Sequence, residues 1–415
     1  MPSRDRRLAR LLASHALAAT AMSLPWPWLL VLVWHQSHDP RLLGLAAAAR
    51  MAPYVACSWW AGRIGDRCRR DVVVRTTVVL RLVLLTAVAA AAAWDRPGLA
   101  VVLAAVAVAV ATPAYPTLAA AIPAAAAGRA ERATETLVTI EVASFVVGPA
   151  LGGLLLGAPA LVAGLSVGAT AVSLALLTGL RLPTPTHERA AAGGVGRALR
   201  SSRQIRRALS LMAWLNLVNA ALGITLLLLA RGDWTGRWSP DTAYGLASGA
   251  LGFGALLTPA LFRCGTGPVA RSRWGLLLMA GGISAAALSP RLGWAVVPLL
   301  LVGAAAVHAE SAATGVIQVE AEDDVRASLF GLADGCMVGA ALVGALLAPS
   351  LAHVIGPKAL LAVLAVTAGA TAWSARGLQS LAQVRDSTAV PPMSSSVSTD
   401  DVSPAARSSE TVRSA

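Results

Sequence analysis

Six ionisable side chains interrupt long apolar runs of this 415-residue chain, and they are the first candidates for chemistry: Arg50, Arg81, Glu141, His308, Glu310 and Asp334. A charge at the centre of a hydrocarbon layer costs about 2.5–3.5 kcal/mol on insertion scales, so each needs a partner or a task. A carboxyl group whose charged form is disfavoured by desolvation can take up and release a proton. Glu141, Glu310 and Asp334 are therefore the candidate proton carriers, each about 10–12 Å from the nearer charged end of its run at the helical rise. His308, beside Glu310, is grouped with it. Arg50 and Arg81 fall at similar depth in neighbouring runs, and either can pair with Glu141; Arg81 also reads as snorkelling or pairing structurally. His15, five residues past Arg10, reads as a solvated interfacial histidine. Asn216 and Asn219, three apart, share a helical face and can meet a small ligand or bond to another helix.

Composition dictates what must hold these residues. Charged residues make up 13% of the chain and hydrophobic ones 56%, against roughly 25% charged in soluble domains. Such a chain cannot cover its own surface with polar groups in water, which excludes an ordinary soluble enzyme. Cys57, Cys68, Cys264 and Cys336 form no CxxC pair, so neither a disulfide framework nor a cysteine metal site is expected. No HExxH, GxSxG or P-loop pattern occurs, and no catalytic residue, metal or cofactor is expected. The net charge of +13 is spread as arginines between apolar runs rather than gathered in one basic stripe, which argues against a nucleic-acid partner.

Twelve apolar runs approach the length that a bilayer demands, at 11–34, 42–62, 72–93, 98–122, 135–157, 159–180, 208–230, 242–262, 274–289, 292–315, 327–350 and 354–376. The run at 274–289 is the shortest. Of the 34 cations, 26 fall on one side of this threading and six on the other. That asymmetry predicts a multi-pass protein of the cell membrane with both termini cytoplasmic. The predicted organisation is an N-terminal six-helix half (1–180), a cytoplasmic central loop (181–207), a C-terminal six-helix half (208–382) and a disordered cytoplasmic tail (383–415). An internal repeat supports the halves: VGPALGGLLL at 147–156 and VGAALVGALL at 338–347 agree at seven of ten positions, in the fifth and eleventh runs.

Two motifs carry chemistry of another kind. Gly62-Arg-Ile-Gly-Asp-Arg-Cys-Arg-Arg70 joins the second and third runs. Gly62 and Gly65 allow a short turn and close backbone approach, and Asp66 can face the positive N-terminus of another helix. Arg67 and Arg70 can bind acidic side chains nearby, with Glu131 and Glu135 available. In the fifth run, Gly148, Gly152 and Gly153 permit close packing, and Pro149 permits a bend.

The first motif resembles the G-x-x-x-D-R-x-G-R-K loop of the major facilitator superfamily, with Arg69 and Asp71 departing from it. Ser144-Phe-Val-Val-Gly-Pro-Ala-Leu-Gly-Gly153 resembles that superfamily's antiporter motif, G-P-x-x-G-G. Over residues 10–380 the chain looks like the macrolide-efflux-type branch of drug:proton antiporters. The resemblance implies an all-α integral membrane protein of about twelve transmembrane helices in two pseudo-symmetric six-helix halves. It also implies a conformational latch at Gly62, Gly65, Asp66, Arg67 and Arg70, with Asp66 facing the start of the eleventh span. Gly148, Pro149, Gly152 and Gly153 would form a bending element between the halves. Second spans line that interface in the resembled fold, which favours Arg50 for a functional role; spans one, four, seven and ten line the cavity, which favours Glu310 and His308. The fourth span lacks the arginine that many drug:proton antiporters carry, so Arg50 or Arg81 takes its place or coupling differs. The expected activity is proton-coupled export of a small amphipathic or hydrophobic organic compound by a monomer in the lipid bilayer. A nutrient importer and a non-transporting membrane sensor or scaffold stand as alternatives.

Overall fold

The computed structural model describes residues 2–38, 40–126, 129–182, 194–234, 238–262 and 268–374. Residues 183–193 of the predicted central loop and the tail 383–415 lie outside the described residues. The described residues are helical and contain no strand. In chain order the helices are α1 (Pro2–Ser23), α2 (Trp26–Ser37), α3 (Pro40–Arg67), α4 (Arg70–Ala93), α5 (Pro97–Ala111), α6 (Ala114–Ala125), α7 (Ala130–Leu154) and α8 (Pro159–Leu176). They continue as α9 (Gly194–Ser201), α10 (Arg203–Arg231), α11 (Pro240–Leu261), α12 (Pro268–Leu288), α13 (Leu292–Glu320), α14 (Arg326–Ile355) and α15 (Pro357–Ser374). Nine stretches among the described residues are long and apolar enough to cross a membrane. Two of those nine run through a break, α1–α2 and α5–α6. Together with α3, α12 and α15 they make twelve rods, consistent with the twelve runs.

Proline chemistry sets the two breaks. Pro25 and Pro27 interrupt the first rod and Pro113 and Pro116 the fourth, because proline lacks an N–H and its ring crowds the preceding turn. The shortest run is extended in the structure: α12 starts at Pro268, where proline suits a first helical position, and its first turn carries Arg271.

Large apolar side chains fill the interior of the rods and also cover their outer surface. Leu154, Leu288, Val319 and Val366 are 70–84% exposed, which is the face that packing in lipid rather than water allows. Inside, α3 lies along α14 and α7 along α11 and α13. Exchanging spans two with eight and five with eleven maps the α3–α14 contact onto α11–α7, as pseudo-symmetry requires. The repeat has a packing reason too. Gly148 and Gly152 of α7 abut Thr20, Ser23 and Leu24 in the first rod, while Gly344 of α14 abuts Leu217 in the seventh. In both halves a glycine-bearing rod leans on the first rod of its own half.

Candidate functional site

Two regions gather the polar residues: one end of the bundle, where the halves meet, and a cavity between them. At the first, α3 runs on through Gly62 and Gly65 to Arg67, so these glycines sit in a helix and not in a turn. A Cβ on Gly62 would overlap the Ala327 carbonyl and the Ser328 Cα, and one on Gly65 would stand 2.9 Å from the Ala327 Cβ. That closeness lets Asp66 reach the start of α14, where its Oδ1 and Oδ2 accept from the N–H groups of Ala327 (2.8 Å) and Ser328 (2.7 Å). These donors have no partner within a helix's first turn, and the helix dipole favours the carboxylate there.

Arg70, 1% exposed, donates to Asp323 Oδ1 at 2.8 Å, and Arg326 donates to the same oxygen at 2.7 Å. The expected partners Glu131 and Glu135 are taken by Arg271 instead. Its Nη1 lies 2.5 Å from Glu131 Oε1, and its Nη2 lies 3.6 Å from Glu135 Oε2 and 3.3 Å from Ser311 Oγ. Both buried arginines open a rod after a loop, α4 and α12, and both cross to the other half. Gln318 ties α13 to two further rods, donating to the Ala119 carbonyl at 2.9 Å and accepting from Thr134 at 2.6 Å. Arg67 is exposed.

His308 belongs to this end and not to the cavity. Its Nδ1 lies 3.4 Å from Glu135 Oε1, and Phe262 stacks on its ring with centroids 4.0 Å apart. Residues two positions apart on a helix are turned by about 200° at 3.6 residues per turn, so His308 and Glu310 look in nearly opposite directions.

Apolar packing divides in the same way. At the Asp66 end, Leu11, Val74, Leu137, Ile205, Met212, Ala313 and Phe330 of both halves share one buried cluster. Away from it the halves have separate clusters, one around Trp26, Leu29 and Val101 and one around Leu222, Leu226 and Leu299. Among the described residues, the largest apolar cluster shared by both halves lies at that end, which seals it.

Above that seal lies a cavity of about 340 Å³ lined by nine helices, with Ser23 and Thr112 standing beside the two helix breaks. Its charged lining is His15, Arg81 and Glu141 from the first half and Glu310 and Asp334 from the second; Asn216 and Asn219 join them. Apolar contact area comes from Tyr54, Tyr115, Phe145 and three methionines. Glu141 pairs with His15 at 2.8 Å rather than with either arginine. His15 is thus buried, 6% exposed, and not solvated at an interface, because α1 begins four residues before Arg6 and carries the histidine deeper. Arg50 lies over the Phe145 ring at 5.6 Å, a cation–π contact. Asn216 donates to the Met212 carbonyl of its own helix at 3.1 Å. Gly148 and Gly152 face the first rod rather than the opposite half, Gly153 has open space, and α7 passes through Pro149 unbroken. Across the halves it is Gly252 of α11 that meets Val146 of α7.

Sequence reasoning missed Arg271, Asp323 and Gln318. A usable signal was the 191-residue offset, which carries Glu131 onto Glu322, beside Asp323. No group of three or more potential metal ligands occurs among the described residues.

A family model described as Major Facilitator Superfamily matches residues 11–337, well over half of the chain. No curated protein matches it. Among solved structures it is similar to the human organic anion transporter MFSD10 (TETRAN), at 17% identity and a TM-score of 0.70, covering 90% of this chain and 100% of the other. It is also similar to a variant of the E. coli fucose:proton symporter FucP, at 13% identity and a TM-score of 0.67, covering 89% and 98%. A bacterial homologue of the iron transporter ferroportin in its outward-facing state aligns at 16% identity and a TM-score of 0.65, covering 90% and 97%. At these identities the likeness is one of fold.

Proposed function

Since the chain belongs to the Major Facilitator Superfamily, a family of membrane transporters, we propose that it exports a small amphipathic organic compound in exchange for protons, by alternating access. The halves 1–180 and 208–382 are the moving bodies, and the cavity between them is the cargo site. The observation that carries this reading is the placement of Glu310 and Asp334 in the wall of a cavity sealed at one end. A carboxyl group there can load a proton from one side of the membrane and release it to the other as access alternates. Counting arginines puts the sealed end, with both termini, in the cytoplasm, so the conformation is outward-facing. The cavity is lined by residues of a single chain, which suits a monomer in the cell membrane.

The contacts at the sealed end form the latch. Each is modest in strength, and a two-state equilibrium with a gap of a few kcal/mol responds to modest changes. Asp66→Asn keeps the shape but turns charge-assisted acceptance into a neutral contact and puts an NH2 group against one of the two donors. The closed state should lose about 1.5–3 kcal/mol. Turnover is expected to fall about tenfold with the amount of protein in the membrane unchanged; full transport by this variant would remove the latch.

Everted membrane vesicles test direction and coupling together. Acidifying the vesicle interior should drive cargo inward. Cargo leaving under the same gradient would show an importer, and no response to the gradient would exclude proton coupling.

A further inference from the structure

The cavity wall holds a buried cation with no ion-pair partner among the described residues. Arg81 of α4 is 4% exposed, and its Nε and Nη1 are buried without a hydrogen-bond partner among the described residues. No ion pair to its guanidinium occurs among them. Leaving a buried guanidinium uncompensated is costly, and in a lipid-embedded bundle an unpaired ionisable group marks a site of use. No acid of the wall forms an ion pair with it, although the charge of Glu141 acts on it through space. Glu141, the acid of the same half, is held by His15 at 2.8 Å. Glu310 and Asp334 stand on α13 and α14 of the opposite half. The other deep arginine, Arg50, is engaged with Phe145 and does not line the cavity.

We infer that Arg81 is an anion subsite in the cavity wall and that the cargo is an organic monoanion, an apolar or aromatic body carrying one carboxylate. The assignment rests on the reading of the cavity as a cargo site. A guanidinium offers five donors in a planar fork that matches a carboxylate. One guanidinium balances one negative charge; a dianion would leave its second charge uncompensated in the same low-dielectric wall as Glu141. The body of the ligand has its own surface in Tyr54, Tyr115 and Phe145, with Met22 and Met337 able to adapt to its outline. The asymmetry of the walls gives orientation: the anionic end turns toward the first half, away from the carboxylates of the second.

Three probes with one bicyclic body separate charge from shape: naphthaleneacetate, naphthaleneacetamide and naphthylethylamine. Binding to the full chain in nanodiscs is measured for the wild type, Arg81→Gln and Arg81→Lys, each checked for monodispersity. The wild type is expected to bind the acid about tenfold or more tighter than the amide, and the amine weakest. Arg81→Gln should erase the preference for the acid, and Arg81→Lys should retain part of it. The wild-type ranking tests the assignment even where Arg81→Gln fails to fold. Equal acid binding by wild type and Arg81→Gln, a wild-type preference for amide or amine, or no acid binding by the wild type would each overturn the subsite. Gradient-driven uptake of the amine or amide in proteoliposomes would meanwhile leave the transporter reading standing; absence of transport of all three together with absence of binding would remove both.

Discussion

Replacing Glu310 with glutamine is expected to abolish gradient-driven accumulation while leaving counterflow intact. Glu310 is 9% exposed and reaches the cavity from α13, the same rod whose opposite face carries His308 into the seal. Among the described residues no cation pairs with its carboxyl group, so its charge is not fixed by a structural ion pair. Glutamine keeps the shape and can still hydrogen-bond, but it cannot take up or release a proton. In the proposed antiport, net transport against a gradient needs that exchange at every cycle. Counterflow of labelled cargo needs only the rocking of the halves. In proteoliposomes, accumulation driven by an imposed pH gradient should fall to less than about a tenth of wild type, a barrier change above about 1.4 kcal/mol, with counterflow within about twofold. The two assays together distinguish lost coupling from misfolding, which would stop both. If accumulation persists, the proton is carried by Glu141 or Asp334. Asp334 is the sharper alternative of the two, because Glu141 is already engaged by His15.

How much of this was readable in the residues depends on the range of the interaction. The twelve runs follow from apolar length alone, and the two breaks follow from Pro25 and Pro113, since proline acts within one turn of the chain. The close approach at Gly62 and Gly65 was legible, but as a turn; because α3 runs on to Arg67, residues three and four apart share a face and one close approach positions both glycines and Asp66. Pairing between rods was not legible in this way. His15 and Glu141 are 126 residues apart, and hydropathy leaves the rotation of two wholly apolar rods about their axes undetermined. The same freedom hid the true neighbours of Arg70 and Arg271 and the first-rod partner of Gly148 and Gly152. Small residues announce that something comes close, not what. The divergence of His308 from Glu310 is different, because the helical period alone puts them on opposite faces. Their separation was legible in the sequence, and their nearness along the chain obscured it.

The closest packing in the seal leads to the second large effect, which concerns two glycines one turn apart on the same face of α14. A Cβ on Gly331 would overlap the Ser58 carbonyl oxygen and stand 3.0 Å from the Gly62 Cα. Those are backbone atoms of α3, which cannot rotate aside as the end of a side chain can. A Cβ on Gly335 would meet only the Ser58 side chain, with its Cβ at an ordinary 3.4 Å. Gly331→Ala and Gly335→Ala thus add the same methyl group and the same gain in helix propensity, four residues apart, with opposite expectations. The first must hold α3 away from α14 and pull Asp66 off the Ala327 and Ser328 donors, biasing the molecule toward the state open at that end. The second should leave the seal as it is. Transport is expected to fall below about a tenth of wild type for Gly331→Ala and to stay within about twofold for Gly335→Ala, on the scale of a clash costing about 1–3 kcal/mol. Accessibility reports the cause. Thr117 is wholly buried against Gly65, so Thr117→Cys, in a background without the four native cysteines, should resist a membrane-impermeant maleimide applied from the sealed side. Adding Gly331→Ala should make it react, and adding Gly335→Ala should not. Normal transport by Gly331→Ala with Thr117→Cys still protected would mean that α3 and α14 do not need this approach to close, and the seal would have to be sought at Arg70 and Arg271 alone.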